Sequence, residues 1–289
     1  MAAAYGVLAD LALGEPTVEP HPVSAFGHLM AKVERRGYAD TRAAGVAYCA
    51  VGAAIGAGAG VALGSTAVAT YLSVAHRALV DAATEIGGAL ESDDLGRARD
   101  LLPTLVGRDP SGLSSGGIAR AVIESVAENT VDAVVAPALW ASVGGAPATL
   151  AYRALNTMDA TVGYRNERYR HVGWASARLD DVANYVPARV TAALVLAARP
   201  GSARALWRAV RHDAPAHPSP NAGVAEAAFA AALGIEHGGT TVYHDRVEHR
   251  PTLGVGRAPE SADIAAAVEL CSEVTALLVV ALMASGRRR

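Results

Sequence analysis

Charged and aromatic residues are scarce in this sequence. They make up 18% and 5% of its 289 residues, whereas hydrophobic residues make up 52%. Soluble domains carry about 25% charged residues, so the composition indicates a protein that lies partly in lipid and partly in water. The net charge of −3 provides no basic field for a polyanion, and we therefore expect no nucleic-acid partner.

Several familiar site motifs are also missing. The two cysteines, Cys49 and Cys271, each lie in an apolar run, so neither a disulfide framework nor a zinc signature is present. The sequence contains no GxxxxGK(S/T) phosphate-binding loop, no GxGxxG after a strand and no GxSxG nucleophile elbow. These absences exclude the sequence classes that those motifs define.

Apolar segments are what the sequence contains instead. They cover about residues 43–75, 133–152, 186–200 and 264–286. Because a membrane-spanning helix needs about 20 apolar residues, we predict a mainly α-helical, multi-pass membrane protein of one domain (1–289), whose polar helices and loops form a cytoplasm-facing site. The first segment predicts one overlong helix or a helical hairpin. The second segment, broken by Pro137 and Gly144, predicts a kinked span or a re-entrant pair. Outside the apolar segments, Val242 and its neighbours predict a short β-hairpin.

A glycine repeat marks one face of the first apolar segment. Gly52, Gly56, Gly60 and Gly64 recur every four residues, and in a lipid bilayer such a face lets two helices approach closely. The repeat predicts a homo-oligomer that packs through this face. The alternative is a soluble Ala/Gly-rich helix. This alternative is disfavoured because each glycine destabilises a water-exposed helix by about 1 kcal/mol.

The first polar constellation is an acidic stripe. Glu124, Glu128 and Asp132 are spaced four residues apart, so on an α-helix they share one face, and Asn129 lies beside them. Like charges on one face repel each other and need counter-charges, which favours a Mg²⁺ site. The alternative is a solvated acidic face that Arg120 partly neutralises.

The second constellation consists of carboxylate and amide pairs at helical spacing. Asn156 and Asp159 are one helical turn apart, and Asp180, Asp181 and Asn184 repeat the pattern. Such oxygens coordinate Mg²⁺ and arginines bind phosphate, so the pairs predict a site for a nucleotide phosphate. The other polar residues assigned to this site are Arg108, Asp109, Tyr164, Arg165 and Arg189. The alternative is a structural network in which Asp181 pairs with Arg178 or Arg189.

The third constellation is the loop HPSPNAG, from His217 to Gly223. Ser219 and Asn221 precede an apolar helix, and a loop at a helix start presents backbone N–H groups to an anion. These two residues are therefore candidates for phosphate binding. The alternative is an ordinary N-cap, in which Asn221 heads the following helix.

Taken in order along the chain, these blocks resemble the adenosylcobinamide-phosphate synthases of cobalamin biosynthesis, the CobD/CbiB family. The most specific blocks are SVAENTVD, which ends at Asp132, and LDDVANYVPAR, which ends at Arg189. DLALGEP, GRDPSGL and HPSPNAG match as well, and the resemblance covers nearly the whole chain. The sequence departs from the family pattern at Pro110, where Thr is expected, and at Asp245, where Gly is expected.

The resemblance implies an ATP- and Mg²⁺-dependent ligase of the bacterial cytoplasmic membrane. Such an enzyme joins aminopropanol, or its phosphate, to a propionate carboxylate of adenosylcobyric acid. ATP would activate the carboxylate, Mg²⁺ would neutralise the phosphates, and Glu128 would take the ammonium proton. We expect catalysis at Glu124, Glu128, Asp180 and Asp181, and metal binding at Glu128, Asp132, Asp159 and Asp181. We expect substrate and phosphate binding at Arg108, Asp109, Asn129, Asn156, Tyr164, Arg165, Asn184, Arg189, Ser219 and Asn221.

Two other classes of function compete with the ligase. An intramembrane Mg²⁺-dependent enzyme of the prenyltransferase kind would use the same carboxylate pairs, but it predicts an aromatic-lined tunnel, and the chain has only two Phe and three Trp. A membrane scaffold or transporter subunit would use the glycine face, but it leaves the carboxylates at the membrane edge without a role.

Overall fold

The structure, a computed structural model, is built mainly from α-helices, as the sequence predicts. It describes residues 1–16, 18–107, 109–163, 167–242 and 247–286. The helices are α1 (Ala2–Leu13), α2 (Pro22–Gly37), α3 (Arg42–Leu63), α4 (Thr66–Tyr71), α5 (His76–Glu91), α6 (Leu95–Leu101), α7 (Ser115–Thr130), α8 (Ala136–Val162), α9 (Trp174–Ala198), α10 (Ala203–Arg208), α11 (Ala222–Leu233) and α12 (Ala262–Gly286). The strands are β1 (His237–Val242) and β2 (Val247–Leu253).

Three helical stretches of the described chain are long and apolar enough to cross a membrane. They are Arg42–Leu63, Ser115–Val162 and Ala262–Gly286. This number of candidate spans indicates a multi-pass membrane protein. The predicted segment 186–200 lies mostly in α9, which is not one of the three.

The first span is one helix with a defined start and end. The Thr41 side chain accepts a hydrogen bond from the backbone N–H of Ala44, which caps the start of α3. Gly64 ends the helix in the left-handed conformation, with φ 67° and its N–H bonded to the Gly60 carbonyl. Only the six-residue α4 follows within the apolar segment, so a helical hairpin was the wrong alternative there.

The second span contains two irregularities. Val131–Val135 form a π-helical turn between α7 and α8. Farther along, Gly144 and Gly145 leave helical geometry, with φ 63° at Gly145, and Pro147 follows at once. Since proline cannot donate a helical hydrogen bond and glycine adopts positive φ without strain, the span is kinked here and α8 then continues to Val162.

The described chain divides into two compact units, each built from separate stretches of sequence. The first unit is Met1–Ala75, Asp132–Pro187 and Val279–Arg289, and the second is His76–Val131 and Ala188–Leu278. The core of the first unit includes Met30, Tyr48, Cys49, Met158 and Val162.

The glycine face of α3 packs inside the first unit. A Cβ atom on Gly52 would meet the Met158 side chain, one on Gly56 the Leu150 carbonyl, and one on Gly60 the Ala146 carbonyl, each at 2.5 Å or less. The close approach expected of such a face is therefore present, but its partner is α8 of the same chain. α8 occupies the face at Gly52, Gly56 and Gly60, and the homo-oligomer stays a prediction.

The second unit has its own core and the β-hairpin. α5 and α11 both pack against α7, and Ile86, Ile118 and Phe229 are fully buried. β1 and β2 are antiparallel, with Val242 opposite Val247, so the hairpin predicted around Val242 is confirmed.

Candidate functional site

A network of polar side chains lies in the first unit. The side-chain nitrogen of Asn156 donates to a carboxylate oxygen of Asp132 at 3.1 Å and to one of Asp180 at 3.3 Å. The side-chain nitrogen of Asn184 donates to the other Asp180 oxygen at 3.0 Å. We call Asp132, Asn156, Asp180 and Asn184 the carboxylate–amide cluster. Three of the four come from the pairs that the sequence predicted, and Asp132 comes from the acidic stripe.

Local structure places these four residues. Asn156 lies on α8 and Asp180 and Asn184 lie one turn apart on α9, whereas Asp132 lies in the π-helical turn. π-Helical turns are rare and are frequent at functional sites. The hydroxyl of Tyr152, one turn before Asn156, faces both the Asn184 side-chain oxygen at 2.9 Å and the Asp132 carbonyl oxygen at 3.0 Å. A fully buried tyrosine therefore fixes the orientation of the Asn184 amide.

Asp180 is an unusual carboxylate within this cluster. Burial raises the pKa of Asp180 above its ordinary value, the hydrogen bonds from Asn156 and Asn184 oppose the shift, and the neighbouring Asp181 adds to it. Its hydrogen-bond partners in the described chain are two neutral amides. A carboxylate held in this way is a candidate proton acceptor, because raised basicity favours proton transfer near neutral pH.

The predicted metal ligands are distributed over both units. Asp132, Asp159 and Asp181 belong to the first unit and Glu128 to the second. No group of three or more His, Cys, Asp or Glu residues arranged to hold a metal ion occurs in the described chain. Mg²⁺, however, is usually held by one or two protein carboxylates together with substrate phosphates and water. The Asp132 carboxylate, which the Asn156 side-chain nitrogen holds through a 3.1 Å hydrogen bond, fits that mode.

The acidic stripe of the sequence analysis is not one uniform face. Glu124 is buried, with 3% of its surface exposed, whereas Glu128 is exposed. Asp132 lies in the π-helical turn rather than on α7. Arg120, the residue considered for partial neutralisation of Glu124, donates to the Gly238 carbonyl at 2.6 Å.

Two of the predicted substrate-binding residues serve local structure. Asn129 donates to the carbonyl and hydroxyl oxygens of Ser125 on its own helix. Asp109 accepts hydrogen bonds from the N–H of Ser111 at 2.9 Å and from its hydroxyl at 2.6 Å, an Asx turn. The predictions for Arg108, Tyr164 and Arg165 lie outside the described residues.

The HPSPNAG loop brings together residues that are distant in sequence. The Arg189 guanidinium donates to the Asn221 side-chain oxygen at 2.9 Å, and Asn221 is buried. The Ser219 hydroxyl oxygen accepts from the backbone N–H groups of Asn221 and Ala222 at 3.3 and 3.2 Å. Ser219 therefore satisfies N–H groups at the start of α11. Asn221 is the N-cap residue of this helix, as the alternative had it, but its side chain makes no capping hydrogen bond.

A histidine–glutamate pair stands beside this loop and was not among the predicted site residues. Nδ1 of His217 lies 3.1 Å from both the backbone nitrogen and the carbonyl oxygen of Ser219. Nε2 of the same ring lies 3.7 Å from a Glu226 carboxylate oxygen, and both side chains are largely buried. In the sequence, Glu226 follows His217 by nine residues. This spacing indicates that the two side chains are close only when the conformation of the loop between them is known.

Arg153 was missed as well. Its guanidinium donates to the Asn156 side-chain oxygen at 3.2 Å, so it extends the carboxylate–amide cluster along α8. The available signal was a charged residue directly after the apolar segment 133–152, because charged side chains within membrane helices mark functional sites by default.

Comparison with known proteins gives a consistent result over the whole chain. A family model described as "CobD/Cbib protein" matches residues 3–271. The chain is 48% identical over 300 residues to "Cobalamin biosynthesis protein CobD" of Mycobacterium tuberculosis, covering 98% of this chain and 95% of that protein. It is 39% identical to the protein of the same description in Rhodobacter capsulatus, with coverages of 98% and 96%. It is 38% identical to "Cobalamin biosynthesis protein CbiB" of Salmonella typhimurium, with coverages of 96% and 94%. No solved structure matches the chain.

Proposed function

The chain belongs to the CobD/CbiB family of cobalamin biosynthesis proteins, and we propose that it is an ATP- and Mg²⁺-dependent amide ligase. The proposed reaction joins aminopropanol, or aminopropanol phosphate, to a propionate carboxylate of adenosylcobyric acid. The product is adenosylcobinamide or its phosphate. The observation that carries the proposal is the carboxylate–amide cluster, which offers carboxylate oxygens for a cation and amide groups that fix their positions.

Activation of the acid is the first chemical requirement. A carboxylate does not react with an amine until one of its oxygens becomes a leaving group, and transfer of the ATP γ-phosphoryl group to the carboxylate provides one as an acyl phosphate. Bound Mg²⁺ would supply positive charge that offsets the charge of the nucleotide phosphates. Asp132 would hold the ion, together with Asp159 and Asp181 as the sequence predicts. Asn156 would keep Asp132 in place through its 3.1 Å hydrogen bond.

Amide formation is the second requirement. The amine nitrogen attacks the activated carbonyl carbon, the phosphate departs with the C–O bond electrons, and the nitrogen must lose a proton. Asp180 is the group we assign to that proton, because burial raises its pKa above the ordinary value for a carboxylate. Asn156 and Asn184 each donate a hydrogen bond to one Asp180 oxygen, so the orientation of the carboxylate is fixed.

Arg189 is a candidate anion-binding group of the second unit. Arg189 is fixed by the buried Asn221, and a guanidinium presents a planar set of donors that matches phosphate oxygens. His217 is held by the Ser219 backbone and by the nearby Glu226 carboxylate. We assign Arg189 to a phosphate group.

The proposed location is the bacterial cytoplasmic membrane, with the site facing the cytoplasm. ATP is available on that side. Lys32, Arg35, Arg36 and Arg42 lie at or before the start of the first span, and clusters of Lys and Arg favour the cytoplasmic side of a membrane helix.

A coupled assay of nucleotide consumption tests the reaction. The detergent-solubilised protein is given ATP and Mg²⁺ with adenosylcobyric acid, with the amine, with both or with neither. We expect ATP to be consumed only when both partners are present. Consumption that ignores the corrinoid would contradict the proposed ligation, and no consumption under any condition would favour a non-catalytic membrane protein or the diphosphate-enzyme alternative.

A further inference from the structure

An apolar cavity of about 130 Å³ lies in the first unit. Its walls come from α2, α3, the segment after α4, and α8. Side chains of Val23, Phe26, Ile55, Ala59 and Leu150 make up much of the lining. Arg153 is the charged member of the lining. The cavity opens to the surface at Pro22 and Ala59, which are exposed, and its volume suits a short aliphatic group.

Arg153 forms no direct ion pair with a carboxylate of the described chain. Its hydrogen-bond partner there is the neutral side-chain oxygen of Asn156 at 3.2 Å, and its Nε is buried without a partner. α8 belongs to a stretch apolar enough to cross a membrane. A guanidinium without a counter-charge is costly in such surroundings, and an anion in the cavity would supply the missing charge.

Asp180 carries the opposite charge to Arg153 and lies in the same unit. Its carboxylate is partly buried, and its hydrogen-bond partners in the described chain are the neutral amides of Asn156 and Asn184. Asn156 accepts from Arg153 through its oxygen and donates to Asp180 through its nitrogen. One asparagine side chain thus separates a cationic group from an anionic group, and neither has an oppositely charged partner in the described residues.

We propose that Arg153 and Asp180 hold the two charged ends of a short zwitterion, an aliphatic amine that carries a phosphate monoester, with its carbon body in the apolar cavity. The phosphate binds the Arg153 guanidinium and the ammonium binds the Asp180 carboxylate. The inference rests on the proposed function, since it assigns the amine co-substrate to this site and makes Arg153 the residue that selects the phosphorylated amine. The ethanolamine phosphate headgroup of a membrane lipid shares this chemistry, and the experiment distinguishes it from the free molecule.

Direct binding measurements test the site without any turnover. The detergent-purified protein, free of corrinoid, ATP and Mg²⁺, is titrated calorimetrically with aminopropanol phosphate, with aminopropanol and with isopropyl phosphate. We expect aminopropanol phosphate to bind at least about tenfold more tightly than either half-ligand, because each charge-assisted contact contributes about that factor. Arg153→Gln should remove the advantage over aminopropanol, and Asp180→Asn the advantage over isopropyl phosphate.

Three further variants secure the interpretation. Ala59→Leu fills the cavity without altering charge and should weaken all three ligands. Arg178→Gln removes an exposed arginine from α9 and should leave the three affinities unchanged. If Arg153→Gln does not fold, Arg153→Lys keeps the charge but loses the planar donor set, and it should bind aminopropanol phosphate about tenfold more weakly than the wild type.

The outcomes separate this inference from the proposed function. Unchanged affinity for aminopropanol phosphate in both Arg153→Gln and Asp180→Asn overturns the site, even if the ligation reaction is found. The expected binding pattern without any ligation supports the site and refutes the function. Competition by phosphatidylethanolamine nanodiscs, but not by nanodiscs of phosphatidylcholine, would show that a lipid headgroup occupies the site and would overturn the assignment to a free zwitterion.

Discussion

The hydroxyl of Tyr152 lies 2.9 Å from the side-chain oxygen of Asn184, although the two residues are 32 positions apart in the chain. This contact fixes which way the Asn184 amide points, and the amide nitrogen then donates to Asp180 at 3.0 Å. The position of the Asp180 carboxylate therefore depends on a tyrosine that does not touch it.

Tyr152→Phe removes this contact and keeps the ring. We expect a loss of about 1–3 kcal/mol in the free energy of unfolding, because the buried Asn184 oxygen is left without its donor. Turnover should fall as well, since the Asp180 carboxylate is no longer held in one orientation. Thermal melting in detergent and steady-state kinetics measure the two effects. Normal turnover in a destabilised variant would limit Tyr152 to a role in folding.

Asp132→Asn and Asp180→Asn remove one charge each and keep the shape of the side chain. We expect turnover to fall by roughly two decades in each variant, as for the loss of a group that stabilises charge in the transition state. The double variant should lose much less than the product of the two, because both residues act through one cluster. The exposed Asp100→Asn provides the matched control.

Melting temperatures, measured together with turnover, test whether Asp132 and Asp180 have only a structural role. If Asp132 and Asp180 are only structural, both variants should retain nearly normal turnover, and their losses of stability should simply add. That pattern would remove the carboxylate–amide cluster from the mechanism.

Arg189→Lys keeps the charge and loses the planar donor set. We expect kcat/KM to fall by about tenfold or more, with little change in melting temperature, because the fixed geometry serves the bound phosphate more than the fold. Arg178→Lys on the same helix is the control, as Arg178 is exposed. Unchanged kinetic constants in Arg189→Lys would make its contact with Asn221 purely structural.

His237 predicts a dependence of stability on pH. It is 0% exposed and its ring nitrogens have no hydrogen-bond partner in the described chain. Burial lowers the pKa of His237 to about 4, which Glu124 and Asp263 oppose and Arg120 reinforces. The folded state thus holds the neutral ring, so its contribution to stability is complete above the unfolded pKa of about 6.5 and is lost as the pH falls toward 4.

His237→Leu should reduce this sensitivity to acid. Between pH 6.5 and 5 we expect the wild type to lose about 2 kcal/mol through this residue, and the variant to lose correspondingly less. His76, whose pKa burial also lowers to about 4, keeps part of the effect. Replacement of the exposed His212 by Gln should leave the melting curves unchanged, and equal acid sensitivity of His237→Leu and the wild type would contradict the assignment.

Much of the fold could be predicted because hydrophobic runs and glycine signals act locally. The uncharged segment from Ala43 predicted α3, and Gly144 with Pro147 predicted the kink in α8. The partner of the glycine face could not be predicted, because a close-packing face looks the same whether its partner is α8 or a second chain. The π-helical turn at Asp132 was missed because helical spacing in a sequence does not distinguish α from π geometry.

The candidate site divides in the same way. Helical spacing paired Asp180 with Asn184 correctly, since that contact lies within one helix. Asn221 is the N-cap residue of α11, as the sequence indicated. Its side-chain oxygen accepts from Arg189, which comes from another part of the chain, and the Ser219 hydroxyl makes the capping contacts instead. Arg153 was missed because the spacing of residues in the sequence does not reveal its surroundings. In the fold, these are an apolar cavity and the neutral Asn156 amide.

The mass of the corrinoid product is the measurement that tests the central claim most directly. The purified protein is incubated with adenosylcobyric acid, ATP, Mg²⁺ and ¹⁵N-labelled aminopropanol or aminopropanol phosphate. We predict a corrinoid whose mass equals the acid plus the labelled amine minus one water, formed by the wild type and strongly reduced with Asp180→Asn. A corrinoid that never acquires the ¹⁵N label under any of these conditions would contradict the account.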